Sequence, residues 1–158
     1  METYELGKKI ENIVGLKLVK VGRACEMLMF DFGQYAIHSQ SLTRIIRNDD
    51  ILVTTLDYQS WDGNTSENND EWYNLDKYKA VIEGGTVLAV ELNALNDLVI
   101  KLDNGITVQI IIQNSYAHYD EEQEQYRFFE ILRDGAAENQ EKKPKHYVVY
   151  NKRIEQQG

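Results

Sequence analysis

The chain is poor in cysteine, proline, histidine and positive charge, and each shortage removes a class of protein. One cysteine, Cys25, in 158 residues permits neither an intramolecular disulfide nor a cysteine-based zinc knuckle. One proline, Pro144, beside 42% hydrophobic residues argues for a folded globule instead of a disordered chain. Lys and Arg number 17 against 26 Asp and Glu, a net charge of −9 and a pI of about 4.8. Such a chain repels phosphate backbones, so nucleic acid is not an expected partner. No apolar run approaches the ~20 residues that span a bilayer. Residues 1–15 carry Glu2, Glu5 and Glu11 and lack the apolar core of a signal peptide. A cytoplasmic protein without membrane association is the expectation.

Catalytic and cofactor motifs are also missing. There is no glycine-rich nucleotide loop, no Gly-x-Ser-x-Gly elbow and no His-Glu-x-x-His. The alternation Asp62, Asn64, Ser66, Asn68, Asp70 imitates a calcium loop. It fails at Glu67, where the sharp turn needs glycine, and at Tyr73, where a bidentate Glu belongs. No metal and no cofactor is expected.

What the chain has is β-pattern. In residues 85–113, Leu88, Val90 and Leu92 alternate with other residues, then Leu98, Ile100 and Leu102, then Ile106, Val108, Ile110 and Ile112. Period-two alternation marks strands with one buried face. Asn104-Gly105 predicts a type I′ hairpin turn between the second and third runs. Earlier strands are expected over 16–23, 24–32, 35–41, 43–47 and 50–55, and later ones over 126–133 and 146–150, with a fraying tail. Leu6, Ile10, Ile13 and Val14 form one stripe of a helix over 3–14, capped by Thr3 and stopped by Gly15. A second helix of about a dozen residues starts at Asn69 or Asp70 and ends at Gly84-Gly85, with Trp72, Leu75, Lys79 and Ile82 on one face. Residues 57–69 and 134–145 read as loops; 116–125 is acidic and reads as helix or loop.

Two halves look alike. Gly15 and Leu18 stand in register with Gly85 and Leu88, and Leu28, Phe30 and Phe32 with Leu98, Ile100 and Leu102 at the same offset. Alternating patterns have only two phases, so any two meanders align this far. The expectation is one domain over 1–158, with an internal pseudo-repeat of 3–56 and 70–133 left open. The fold class is α+β, mostly antiparallel β. Two meanders, each preceded by a short helix, would make a sandwich or a partly open barrel.

Candidate functional residues fall into two sets. Residues 57–73 hold both tryptophans of the chain, Trp61 and Trp72, with Tyr58 and Tyr73 among Asp57, Asp62, Glu67, Asp70 and Glu71. Aromatic residues anchor interfaces and acids steer a basic partner. Asp57, Tyr58, Trp61, Asp62, Glu67 and Asp70 are therefore candidate partner contacts, with Trp72 expected to face the core. Asp120, Glu121, Glu122 and Glu124 would extend that surface if the fold brings them near. The second set, Arg23, Glu26, His38, Gln40 and Arg44, is polar and strand-borne. Cys25 and His38 would make a nucleophile and base only if their strands adjoin.

Residues 6–57 contain Leu6-Gly7, Ile13, the run Gly22-Arg23-Ala24-Cys25-Glu26-Met27-Leu28-Met29-Phe30-Asp31-Phe32-Gly33, then Ala36-Ile37-His38-Ser39-Gln40-Ser41, Arg44-Ile45 and Asp57. This pattern resembles a family of small bacterial β-rich proteins, some of immunity type beside polymorphic toxins. The sequence departs from it with Ile37 in place of Leu and Cys25-Glu26 in place of an Asp-like pair. The resemblance implies no site residue. It implies a non-enzymatic, partner-binding role against a basic toxin or effector domain, with self-association compatible. The alternatives are a small-ligand-binding β domain and a small enzyme using Cys25 and His38.

Overall fold

The computed structural model describes residues 1–65, 68–132 and 143–158. Its strands are β1 (Lys20–Ala24), β2 (Met27–Asp31), β3 (Tyr35–Ser39), β4 (Leu42–Arg47) and β5 (Asp50–Thr54). They continue as β6 (Val87–Leu92), β7 (Leu98–Leu102), β8 (Ile106–Ile111), β9 (Tyr126–Glu130), β10 (His146–Val149) and β11 (Ile154–Gln157). Two antiparallel sheets result, one ordered β1-β2-β3-β9-β10-β11 and one ordered β5-β4-β8-β7-β6. Both are open, so the fold is a β-rich sandwich and not a barrel. Helix α1 (Thr3–Ile10) precedes the first meander and helix α2 (Asp70–Ile82) precedes β6–β8. The segments just before the two meanders pair with each other. Leu18 N–H donates to the Gly85 carbonyl, and Gly84 N–H to that of Leu18, both at 2.8 Å.

Alternation supplies the core. One row across the first sheet runs Phe30, Ile37, Phe128, Tyr147; one across the second runs Val53, Ile45, Val108, Ile100. All are buried in a single cluster with Leu6, Ile10, Leu75 and Ile82 from the helices. Each such side chain stabilises the fold by roughly 1.5–3 kcal/mol relative to exposure. The chain passes between the sheets at Gln40-Ser41, where backbone polarity cannot be hidden. A buried polar seam meets it: Ser39 and Thr43 hydroxyls lie 2.8 Å apart, and Ser41 Oγ donates to Gln125 Oε1 at 3.0 Å.

The helices differ from expectation in phase and length. Helix α1 stops at Ile10 and tightens into a 3-10 turn (Glu11–Ile13), leaving Val14 exposed. Thr3 does not cap it; its hydroxyl donates instead to Asn96 Oδ1 at 2.7 Å. In α2 the N-cap is Asn69, whose Oδ1 accepts from Trp72 N–H at 2.8 Å. The buried stripe is Glu71, Leu75 and Ile82 with Tyr78 packed beside it, so Trp72 does not face the core. At its C-terminus Asn104 Nδ2 donates to the carbonyls of Val81 and Ile82, each at 3.2 Å, satisfying two of the four orphaned acceptors.

Turns carry the remaining corrections. Gly105 alone in the β7–β8 loop has positive φ, +81°. With three loop residues and glycine in the left-handed region, this is the longer bulged turn and not type I′. Residues 25–26 form the β1–β2 turn, with Cys25 at φ 54°, so Cys25 is not in a strand and is exposed. Residues Thr55–Ser60 form a 3-10 helix at the start of the expected loop, and the C-terminal tail is strand β11. Most of the loop expected over 134–145 lies outside the described residues.

Candidate partner-binding surface

The first candidate set largely converges. The 3-10 helix carries Asp57 and Tyr58 toward the N-terminus of α2 and the β1–β2 turn. Ring centroids of Tyr58 and Trp61 are 5.9 Å apart, and those of Tyr58 and Trp72 are 6.3 Å apart. Trp61 is 38% exposed. Its indole N–H donates to the Thr65 carbonyl at 2.6 Å, which fixes the ring against its own loop. Trp72 Nε1 donates to the Cys25 carbonyl at 2.7 Å. That bond ties the turn to the helix. The Arg23 guanidinium lies 4.3 Å from the Trp72 ring centroid while Nη1 pairs with Asp76 Oδ1 at 2.7 Å. A guanidinium stacked on an indole and tied to a carboxylate positions the indole at the surface.

Glu71, next to Trp72 in the first turn of α2, is fully buried. Neither carboxyl oxygen, nor the buried Nε of Arg23, finds a hydrogen-bond partner among the described residues. Burial foremost, then the charges of Glu26 and Asp57 against the opposing pull of Arg23, pushes the Glu71 carboxyl up to about 8. It is protonated at neutral pH. Burial, with Cys25, Glu26 and Glu71 nearby, also raises the Tyr58 hydroxyl.

Asp62 has a different task. Its Oδ1 accepts from the N–H groups of Asn64 and Thr65, at 2.9 and 3.2 Å, and its Oδ2 from Asn68 Nδ2 at 2.9 Å. These bonds hold its carboxyl below the usual range and make it the organiser of the loop. Asp70 is exposed at the helix start, its N–H donating to Ser60 Oγ at 2.7 Å. Glu67 lies outside the described residues.

The second acidic run reaches the same side. A depression of about 640 Å³ is lined by Cys25, Glu26 and Gln40 together with Asp120, Gln123 and Glu124. Glu124 is paired with Arg127, Nε to Oε2 at 2.8 Å, and Glu122 with Arg153 at 2.9 Å; Asp120 and Glu121 are exposed. Residues 112–125 form no helix, and Tyr119 at their tip is 94% exposed.

The strand-borne set is divided. Arg23 and Glu26 belong to the corner just described, and Gln40 to the depression. Arg44 lies on the other sheet, its Nε and Nη2 donating to Gln109 Oε1 at 2.9 and 2.6 Å. His38 faces outward from the six-stranded sheet, edge-on to Phe129, whose other neighbour is the stacked ring of His146. Arg127 Nη1 donates to His146 Nδ1 at 3.1 Å. Burial, then the Arg127 charge, lowers both histidines. His38 stands opposite Met29 in β2, four residues from Cys25. At ~3.3 Å per residue the two are roughly 13 Å apart along the strand, beyond hydrogen-bond reach. The structure does not unite that pair.

The candidate sets drawn from the sequence leave out Glu71, Arg127, Phe129 and His146. The signal for Glu71 was present: it stands at the head of the i, i+4, i+7, i+11 stripe completed by Leu75, Tyr78 and Ile82. Arg127 and His146 meet only through strand register, which composition does not carry. No group of three or more His, Cys, Asp or Glu among the described residues is disposed to hold a metal ion. No helix among them is long and apolar enough to cross a membrane. No protein-family model, curated protein or solved structure matches the chain.

Proposed function

We propose that the protein is a non-enzymatic binding protein that occludes a basic surface of a partner by stoichiometric association, as an immunity-type inhibitor does for a toxin or effector domain. The observation that carries this reading is the gathering of Tyr58, Trp61 and Trp72 among Glu26, Asp57 and Asp70, beside a depression that Glu26 lines together with Asp120 and Glu124. Amphipathic rings held by hydrogen bonds lose little freedom on binding and act as anchors. Carboxylates around them favour a basic partner, and a net charge of −9 steers it. Affinity capture from the native cell should return a basic protein in one-to-one ratio. Its binding should weaken with salt and with Trp61→Ala or Glu26→Lys. Association indifferent to salt and to both substitutions would overturn the reading. Asp62→Lys is a poor probe, because Asp62 holds its own loop together.

A second reading draws on a groove of about 380 Å³ on the outer face of the six-stranded sheet, lined by Met29, Ala36, His38, Phe129 and Ile131. It would take a small, mostly apolar ligand. Heat stabilisation by a metabolite panel, abolished by Phe129→Ala, tests it.

A further inference from the structure

Resting on the partner-binding reading, we propose that the Tyr58–Trp61–Trp72 corner is a receptor for a single guanidinium group, an arginine side chain of the basic partner, with Glu71 as its buried counter-ion.

Two buried polar groups at this corner lack partners. Both Glu71 oxygens are unsatisfied at 0% exposure, and so is the buried Nε of Arg23. An unsatisfied buried carboxyl destabilises the fold, so its presence calls for a reason. Glu71 heads a stripe otherwise made of Leu75, Tyr78 and Ile82, where an apolar residue would fit without that cost. Glu71 directly precedes Trp72 in the first turn of α2, so its carboxyl belongs to the same end of the helix as the corner. The charges acting on it are those of Glu26 in the β1–β2 turn, Arg23 in β1 and Asp57 in the 3-10 helix, and it acts in turn on the Tyr58 hydroxyl. Asp76, on α2 itself, is occupied by Arg23.

The chemistry that completes such a site is a planar cation. A metal ion does not fit, because no three ligating side chains converge among the described residues. Ring faces take a guanidinium by cation–π attraction, and a carboxylate takes it bidentately. The protein already displays half of this arrangement internally, with Arg23 stacked on Trp72. Tyr58 and Trp61, tilted at 38° to each other, offer the second aromatic wall. The Arg23–Asp76 pair at the same corner is partly exposed and so holds only weakly.

Binding a cation at Glu71 requires its ionised form, so arginine binding expels a proton. Only about a tenth of a carboxyl titrating near 8 is ionised at pH 7, and apparent affinity scales with the competent fraction. The experiment is an NMR titration of the isotope-labelled full chain with tri-arginine peptide, following the indole N–H signals of Trp61 and Trp72. Both signals should shift and saturate, with apparent affinity rising about tenfold between pH 7 and pH 9. Glu71→Gln should remove that pH dependence, Trp61→Ala should weaken binding at both pH values, and tri-lysine should bind more weakly. Unchanged pH dependence in Glu71→Gln, equal binding of tri-lysine, or no saturable shift in the folded wild type would each overturn the receptor. Should tri-arginine fail while a captured basic partner still depends on salt and on Trp61, the receptor falls and the partner-binding surface stands. Loss of the latter dependence removes the surface itself.

Discussion

Glu71 ties stability to pH with an unusual sign. Its carboxyl titrates near 8 in the folded protein against an ordinary value of 4.5, so between those values the folded state holds a proton that the unfolded state has released. Stability from this group therefore falls as pH rises from about 4.5 and levels off above about 8. The Glu71→Gln variant keeps the shape and loses the titration. In urea unfolding it should match the wild type near pH 4.5 and exceed it by a few kcal/mol above pH 8. An advantage that does not grow with pH would mean that Glu71 is already ionised. His38 and His146 act at the other end. Their folded values are depressed below 6.5, so the unfolded state protonates first and stability is lost as pH falls through that range. Replacing both by Gln should flatten the acid limb of the profile, leaving the Glu71 slope in place.

At the scale of elements, the join between α2 and the β7–β8 hairpin rests on one glycine and one amide. A Cβ on Gly85 would lie 2.5 Å from Asn104 Cγ, and Asn104 is held by both helix carbonyls and by Ile106 N–H. Gly85→Ala must push the amide away, uncapping the helix; Asn104→Ala removes the cap directly. Each should cost about 1–3 kcal/mol, the loss of the amide's hydrogen bonds to the last helix carbonyls. The two should not add, because both remove the same contacts. A double-mutant cycle by urea unfolding checks this, and additive losses would show that Gly85 matters for some other reason. Neither sequence pattern nor composition reveals this join. Alternation is enough to read the strands where the ladder is regular, since Leu98, Ile100 and Leu102 bury one face whatever sheet they join. In β6 it misleads, because the register shift between Val87 and Ala89 buries Val87 and leaves Leu88, expected on the buried face, 61% exposed. It was silent on partners: nothing in residues 126–130 says that β9 lies beside β3. The site was legible only in part for the same reason. Trp61 and Asp57 stood out by composition, whereas the phase of α2 was misjudged because tryptophan outranks glutamate as a core residue in any apolar scale. Here an indole N–H bound to the Cys25 carbonyl and a stacked Arg23 hold Trp72 at the surface, and Glu71 takes the inward place.

For the molecule as a whole, charge and aromatic anchors should act on different steps of association. A net charge of −9 sets up a long-range field that reaches beyond contact and is screened by salt. Glu26 and Asp120 both line the depression, and two carboxylates in one concavity concentrate that field there. Converting both to lysine changes the net charge by four units while leaving the ring cluster intact, and neither residue holds a salt bridge among the described residues. Steering is a rate effect, so this double variant should lower the association rate constant by about tenfold or more at low salt. The wild type should approach the variant as salt is raised. Trp61→Ala makes no change to charge and should leave association within about threefold, instead speeding dissociation by about tenfold or more. Stopped-flow and surface-capture kinetics with the proposed basic partner separate the two. If the charge variant altered only dissociation, or the tryptophan variant only association, the division of labour between field and anchor would be wrong, and the acidic surface would owe its charge to solubility alone.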